Sequence, residues 1–112
     1  MGWHLPSNAE WTILTYYLGG DSFAGIKLKE TGDSWIRAKN EATNESGFTA
    51  LPGGMRKWDG YFILLGTYGH WWSNDENRNN TMWYMKNDGD FAHRLSMSLN
   101  RNIGYSVRCV RD

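Results

Sequence analysis

At 112 residues, with no formal net charge and its Lys and Arg scattered, the chain has room for one domain. It carries no electrostatic footprint for nucleic acid or an anionic membrane, and no apolar run nears the roughly 20 residues of a membrane-spanning helix. Only 40% of its residues are hydrophobic, so the core must come from seven Trp, six Tyr and four Phe, each able to bury roughly 150–250 Å².

Met1 runs straight into Gly2-Trp3-His4, which reads as the inside of a domain. The expectation is one domain over residues 1–112 that lacks a leader and a preceding segment at its N-terminus; no signal peptide is visible. His4 is expected to pack with Trp3. Ser7-Asn8-Ala9-Glu10 has the form of a capping box, with Pro6 blocking backward extension. Trp11, Leu14 and Leu18 then fall on one helical stripe, and Gly19-Gly20 ends it. A second helix is expected from Ser22, with Ala24 and Leu28 on one face, fading near Thr31-Gly32. From Asp33 to Gly47 the chain is polar, a loop anchored by Trp35 and Ile36.

The remainder reads as short strands. Phe48–Leu51 is an expected strand before the Pro52-Gly53-Gly54 turn. Asp59-Gly60 joins Met55–Trp58 to Tyr61–Leu65, and Asp88-Gly89 joins Met82–Asn87 to Phe91–Leu99, both as hairpins. Leu95, Met97 and Leu99 alternate with Arg94, Ser96 and Ser98, which predicts one buried and one wet face. In a last strand, Tyr105 to Arg111, the residues Tyr105, Val107 and Cys109 are expected to face inwards. Two helices followed by a turn-rich antiparallel half define an α+β fold.

The chemistry available is sparse. His4, His70 and His93 show no metal-ligand spacing, and no serine lies in a nucleophile elbow. His70 either lines a site or makes a partly buried ring hydrogen bond. Cys109, the single cysteine, is either a buried thiol or an orphan whose partner lay upstream of residue 1, with catalysis a poor third. The expectation is that the chain is not an enzyme and needs no cofactor. Calcium is the open alternative, since Asn74-Asp75-Glu76-Asn77 and Asn87-Asp88-Gly89-Asp90 are rich in oxygen ligands. The second run is equally a hairpin turn.

Binding is the better reading. Along Met82–Asn87, Trp83 and Met85 are expected inwards, and Met82, Tyr84 and Lys86 outwards. Asn74, Asp75, Asn77, Asn79 and Asn80 precede them, while Phe91, His93, Arg101 and Asn102 extend the patch. Aromatic anchors among adaptable amides have the composition of paratopes.

Several blocks of the chain resemble a known family. Gly2-Trp3-His4-Leu5-Pro6-Ser7 and Glu10-Trp11 open it, and Lys27–Gly32 and Asn44–Gly54 continue it. Gly69, Trp71-Trp72-Ser73, Glu76 and the ending Gly104-Tyr105-Ser106-Val107-Arg108-Cys109-Val110-Arg111-Asp112 complete it. The chain is identified on these blocks as a member of the Fibrobacter succinogenes major paralogous domain (FISUMP). That resemblance implies a C-type-lectin-like fold: two helices packed on a twisted antiparallel sheet with long loops, in a bacterial secreted or surface protein. More distant formylglycine-generating relatives use groove cysteines, which a single Cys109 does not supply. The family carries a Cys-Pro before its Gly-Trp-His block, and the resemblance implies that this Cys pairs with the one matched by Cys109.

Between Asn74 and Ile103 the resemblance nearly vanishes. The same architecture serves variable proteins of diversity-generating retroelements, in which Asn codons near the C-terminus are rewritten, and the Asn-rich segment resembles such a region. The function expected is a non-enzymatic ligand-binding or display domain of a bacterial surface or a phage particle. Its partner is a protein or receptor held by the Asn-rich C-terminal face. The alternatives are a glycan-binding lectin domain, with or without calcium, and a structural module of a surface lipoprotein.

Overall fold

A computed structural model describes residues 2–36, 41–74, 80–97 and 102–112, with Asn80 and Met97 described as backbone only. The chain order is β1 (Trp3–His4), α1 (Asn8–Tyr17), α2 (Asp21–Leu28), β2 (Met55–Arg56), β3 (Phe62–Ile63), β4 (Tyr68–Ser73), β5 (Asn80–Lys86), β6 (His93–Met97) and β7 (Val110–Arg111). The architecture is α+β, two helices with small antiparallel sheets, as the sequence predicts. β5 is central in a three-stranded sheet ordered β4-β5-β6, while β1 pairs with β7 and β2 with β3.

α1 starts where the capping box places it. The Ser7 hydroxyl accepts from the Glu10 N–H at 3.1 Å, and the Glu10 carboxylate accepts from the Ser7 N–H at 3.4 Å. Its stripe buries Trp11 and Leu18 and half-buries Leu14. Gly19 and Gly20, both at φ 102, supply the left-handed turn into α2. α2 begins one residue before the expected Ser22, buries Ala24 and Leu28 as expected, and ends at Leu28. The long loop is pinned by Trp35, whose Nε1 donates to the Ala50 carbonyl at 2.9 Å. Its expected second anchor, Ile36, is 50% exposed and holds the fold through its backbone, N–H on the Gly66 carbonyl at 2.8 Å.

The core is a knot of rings between α1 and the sheet. Trp11 stacks on Trp83 with centroids 5.7 Å apart and lies 6.2 Å from Trp71 and 5.8 Å from Phe48. Offset and tilted pairs of this kind add stabilisation beyond their buried area. Asn8, in the first turn of α1, links the helix to the same sheet face. Its Oδ1 accepts from the Ser73 hydroxyl at 2.6 Å and from Trp83 Nε1 at 3.2 Å, and its Nδ2 donates to Thr81 Oγ1 at 3.1 Å.

Both Asp-Gly hairpins form, with β2 on β3 and β5 on β6 antiparallel. Four expectations are corrected. Phe48–Leu51 is no strand: it makes one bridge, Ala50 to Lys29, and Thr49 at φ 56 breaks the extended run. Leu95 is 44% exposed because it lies opposite Met82 on the outward side of an edge strand; Leu99 lies outside the described residues. Met82, expected outwards, is on that side but only 5% exposed, flanked in register by Trp72 and Leu95. The last strand is interrupted. Ser106 bridges to Trp71, then the chain leaves β4 to pair as β7 with β1. Tyr105 is half-buried, but Val107 and Cys109 are exposed, since no second layer covers the crossing.

Candidate functional site

The β4-β5-β6 sheet has two unlike faces because side chains alternate along each strand. Trp71, Ser73, Thr81, Trp83 and Met85 face α1 and the core. The register sets His70 opposite Tyr84 and Tyr84 opposite His93 on the other face. The same face carries Tyr68 and Trp72 from β4, and Lys86 from β5.

On that outward face seven rings form one continuous platform. Phe91 stacks on His93 at 4.3 Å and meets Tyr84 edge-on at 5.4 Å. Tyr84 lies 6.5 Å from Tyr68 and 6.3 Å from His70, which stack on each other at 5.5 Å. His70 then stacks on Tyr105 at 5.3 Å, and Tyr105 lies 4.5 Å from Trp72. Only His70 is buried; the other six are half-exposed, so the platform is held by its own contacts and still reaches solvent.

Electrostatics sort the polar groups of this face. Burial pushes the His70 imidazole below its ordinary 6.5, opposed by the bond from Nδ1 to the Gly54 carbonyl at 3.3 Å. Burial thus favours the neutral imidazole, and His70 both makes the buried ring hydrogen bond and contributes a ring to the platform. Burial also raises the Tyr105 phenol. Asp88, 3.6 Å away, and Tyr68 raise the Lys86 ammonium, which lies 5.8 Å from the Tyr68 ring centre. The platform thus has a fixed cation at one end and uncharged rings across its middle.

Of the residues expected to bind ligand, Tyr84, Lys86, Phe91 and His93 come together on this face, half-buried. Met82 is on it but covered. Asn74 is exposed at the end of β4, its N–H on the Pro6 carbonyl at 2.7 Å. Asn80 starts β5 as backbone. Asn102 is exposed, two residues before Gly104 bridges to Arg56. Asp75, Asn77, Asn79 and Arg101 lie outside the described residues. Tyr68, Trp72 and Tyr105 were not expected to share a site. The signal for two of them was present: Tyr68, His70 and Trp72 recur at every second residue, the spacing of one strand face.

The Asn87–Asp90 turn serves an internal cation. The Lys29 ammonium donates to the carbonyls of Lys86 and Gly89 and lies over the Trp35 ring, 5.0 Å from its centre. Burial lowers the Lys29 pKa, opposed by the charges of Asp90 and Asp88. The Lys86 and Gly89 carbonyls at this turn are thus already engaged by an ammonium. Among the described residues no group of three or more His, Cys, Asp or Glu is placed to hold a metal ion. His4 does not pack with Trp3 as expected: its Nδ1 meets Asp112 at 2.7 Å and its Nε2 meets Glu10 at 2.8 Å.

The chain is thus an α+β domain with a ring-knotted core and one open aromatic sheet face. The chain belongs to the family of the Fibrobacter succinogenes major domain, whose family model matches residues 1–111. No curated protein and no solved structure matches it significantly.

Proposed function

We propose that this domain is a non-catalytic recognition module of C-type-lectin-like fold, displayed on a bacterial surface or a phage particle. It holds a protein or receptor ligand on the outward face of the β4-β5-β6 sheet. The observation that carries the reading is the seven-ring platform with Lys86 at its end. Rings already packed on one another lose little freedom on binding, and Tyr and His edges add hydrogen bonds to the buried area. A glycan is the second reading, because half-exposed rings beside a cation also suit a sugar. The Asn-rich stretch from residue 74 to 80, which joins β4 to β5 in sequence, is the segment in which retroelement diversification would act.

The test is binding of the fluorescent domain to a panel of intact bacterial and animal cells. Protease pretreatment of the cells abolishes binding to a protein ligand, and periodate abolishes binding to a glycan. Combined Tyr84→Ser, Lys86→Ser and His93→Ser substitution, all on the outward face, is expected to weaken binding at least 100-fold on the scale of interface anchors, of order 2 kcal/mol each or less. Binding that survives the triple substitution sinks the proposed face. Loss of binding in EDTA would instead assign it to calcium.

A further inference from the structure

α1 carries two stripes. Trp11, Thr15 and Leu18 are buried in the core. Glu10, Ile13, Leu14 and Tyr17, at i, i+3, i+4 and i+7, form the second, and all four line a groove between α1 and the C-terminal segment. That spacing is the face by which one helix packs on another. Here it meets solvent: Ile13 is 69% exposed and Tyr17 84%, with Tyr16 beside them at 82%. The groove holds about 570 Å³, room for side chains from outside, and contains none of the platform's rings.

The order of residues along the second stripe is complementary to itself. Laid antiparallel across a two-fold axis, Ile13 faces the partner's Leu14 and Tyr17 faces the partner's Glu10, each contact occurring twice. The middle is apolar, and each end joins a phenol donor to a carboxylate acceptor. Glu10 already accepts from His4 at 2.8 Å and from the Ser7 hydroxyl at 3.2 Å. Its two oxygens offer about four lone-pair sites, and its side chain is still 36% exposed. One acid, Glu10, and one base, Arg108, lie in the lining, and the chain has no formal net charge, so two copies meet without repulsion.

The exposed area is of the right order. A standard interface takes about 800 Å² from each partner. Tyr16 and Tyr17 supply roughly 150–250 Å² each, about half of it, and Ile13 and the groove walls from Phe48 to Val110 add to them. We infer that this face is a two-fold interface between two copies of the chain, closed by antiparallel pairing of α1. The pairing uses no ring of the platform and needs no ligand, so it stands or falls separately from the recognition reading. With a platform left open on each copy, the dimer gains avidity for a surface that displays its ligand repeatedly.

The experiment is sedimentation equilibrium of the full chain without ligand, from micromolar to millimolar concentration. A monomer–dimer equilibrium that closes at two copies is expected. Ile13→Asp, at an exposed helix position and with folding checked by circular dichroism, places two charges at the centre of the interface. It is expected to weaken dimerisation at least 100-fold. Tyr17→Phe removes only the hydroxyl and is expected to weaken it at least ten-fold, since each dimer loses two bonds to a carboxylate. Tyr61→Ser, on the exposed β2–β3 hairpin, is expected to change nothing. Cys109 is exposed and lines the groove, so its alkylation by iodoacetamide should slow as the parent dimerises, and not in Ile13→Asp. A monomer at every concentration, a dimer that Ile13→Asp leaves intact, a Tyr17→Phe dimer as tight as the parent, or association that continues beyond two copies overturns the inference. So does a dimer that Tyr61→Ser dissolves, which assigns the contact to the hairpin.

Discussion

Asn8 does more for this molecule than its place in a capping box suggests. One amide serves three partners from β4 and β5: it accepts from Ser73 and Trp83 and donates to Thr81, while Ser73 and Thr81 bond each other at 2.8 Å. Removing a shared acceptor strands buried donors, which costs more than the net worth of the bonds themselves. Asn8→Ala is therefore expected to destabilise the domain by about 2–4 kcal/mol, from one to two stranded groups at about 1–3 kcal/mol each. Asn8→Asp keeps the acceptor, loses only the donation to Thr81, and places a negative charge in a first helical turn, where it is favoured. It is expected to cost less than half as much; urea midpoints of the two variants check the ordering. None of this was legible in Ser7-Asn8-Ala9-Glu10, because a polar residue at a helix start always has a local role and its distant partners leave no spacing to read. Lys29 was hidden for the same reason: its partners are backbone carbonyls, which every sequence has.

The hairpins were legible because Asp-Gly sits between apolar runs in each, and α1 because its cap and stripe agree. β4 was not. A strand announces itself by a polar face alternating with an apolar one, and Tyr68-Gly69-His70-Trp71-Trp72-Ser73 puts aromatic residues on both: Trp71 into the core, Tyr68, His70 and Trp72 onto the platform. Half the candidate site was thus concealed by the property that makes it a site. The other half, Tyr84 to His93, was found because it follows a readable turn. α2 supports this half from beneath. The Ala92 N–H donates to the Asp21 carbonyl at 2.8 Å and the Ile26 N–H to Asp90 at 3.3 Å. A Cβ added at Gly25 would lie 2.2 Å from the Phe91 carbonyl oxygen. Alanine in a helix normally improves on glycine by up to about 1 kcal/mol. Here the backbone of the platform's edge must move, so Gly25→Ala is expected to destabilise by about 1–3 kcal/mol, the range of overpacking. Ligand binding at Phe91 and His93 should weaken with it. A Gly25→Ala domain as stable as the parent would show that α2 and the segment at 90–92 are not in close contact.

At the scale of the whole molecule, His4 joins β1 to α1 through Glu10 and to Asp112 next to β7, while His70 is the buried ring in the middle of the platform. The two histidines titrate in opposite senses. Bonds to Asp112 first, and then to Glu10, raise His4 above its ordinary 6.5. The folded state then holds that proton more tightly than the unfolded one, and the stabilisation, full below 6.5, is lost as pH rises through the folded value. Burial lowers His70 below 6.5, so its contribution is present above 6.5 and is lost as pH falls through its folded value. His4 chiefly lowers both carboxyls, Glu10 below 4.5 and Asp112 below 3.8, and their contributions disappear only in stronger acid. Stability against pH is therefore expected to peak near 6.5 and decline on both sides, for different reasons on each. His4→Asn should flatten the alkaline limb and leave the acid one, whereas His70→Asn, which keeps a donor near the Gly54 carbonyl, should flatten the acid limb between 6.5 and the carboxylate range. Salt separates them further: the charge attraction in the exposed His4 clasp is screened and the buried His70 is not, so 0.5 M sodium chloride should shrink the alkaline decline and leave the acid one. Urea unfolding from pH 4.5 to 8.5 reads both limbs, and a parent curve that keeps rising above 6.5 would show that His4 does not hold the two ends of the chain together.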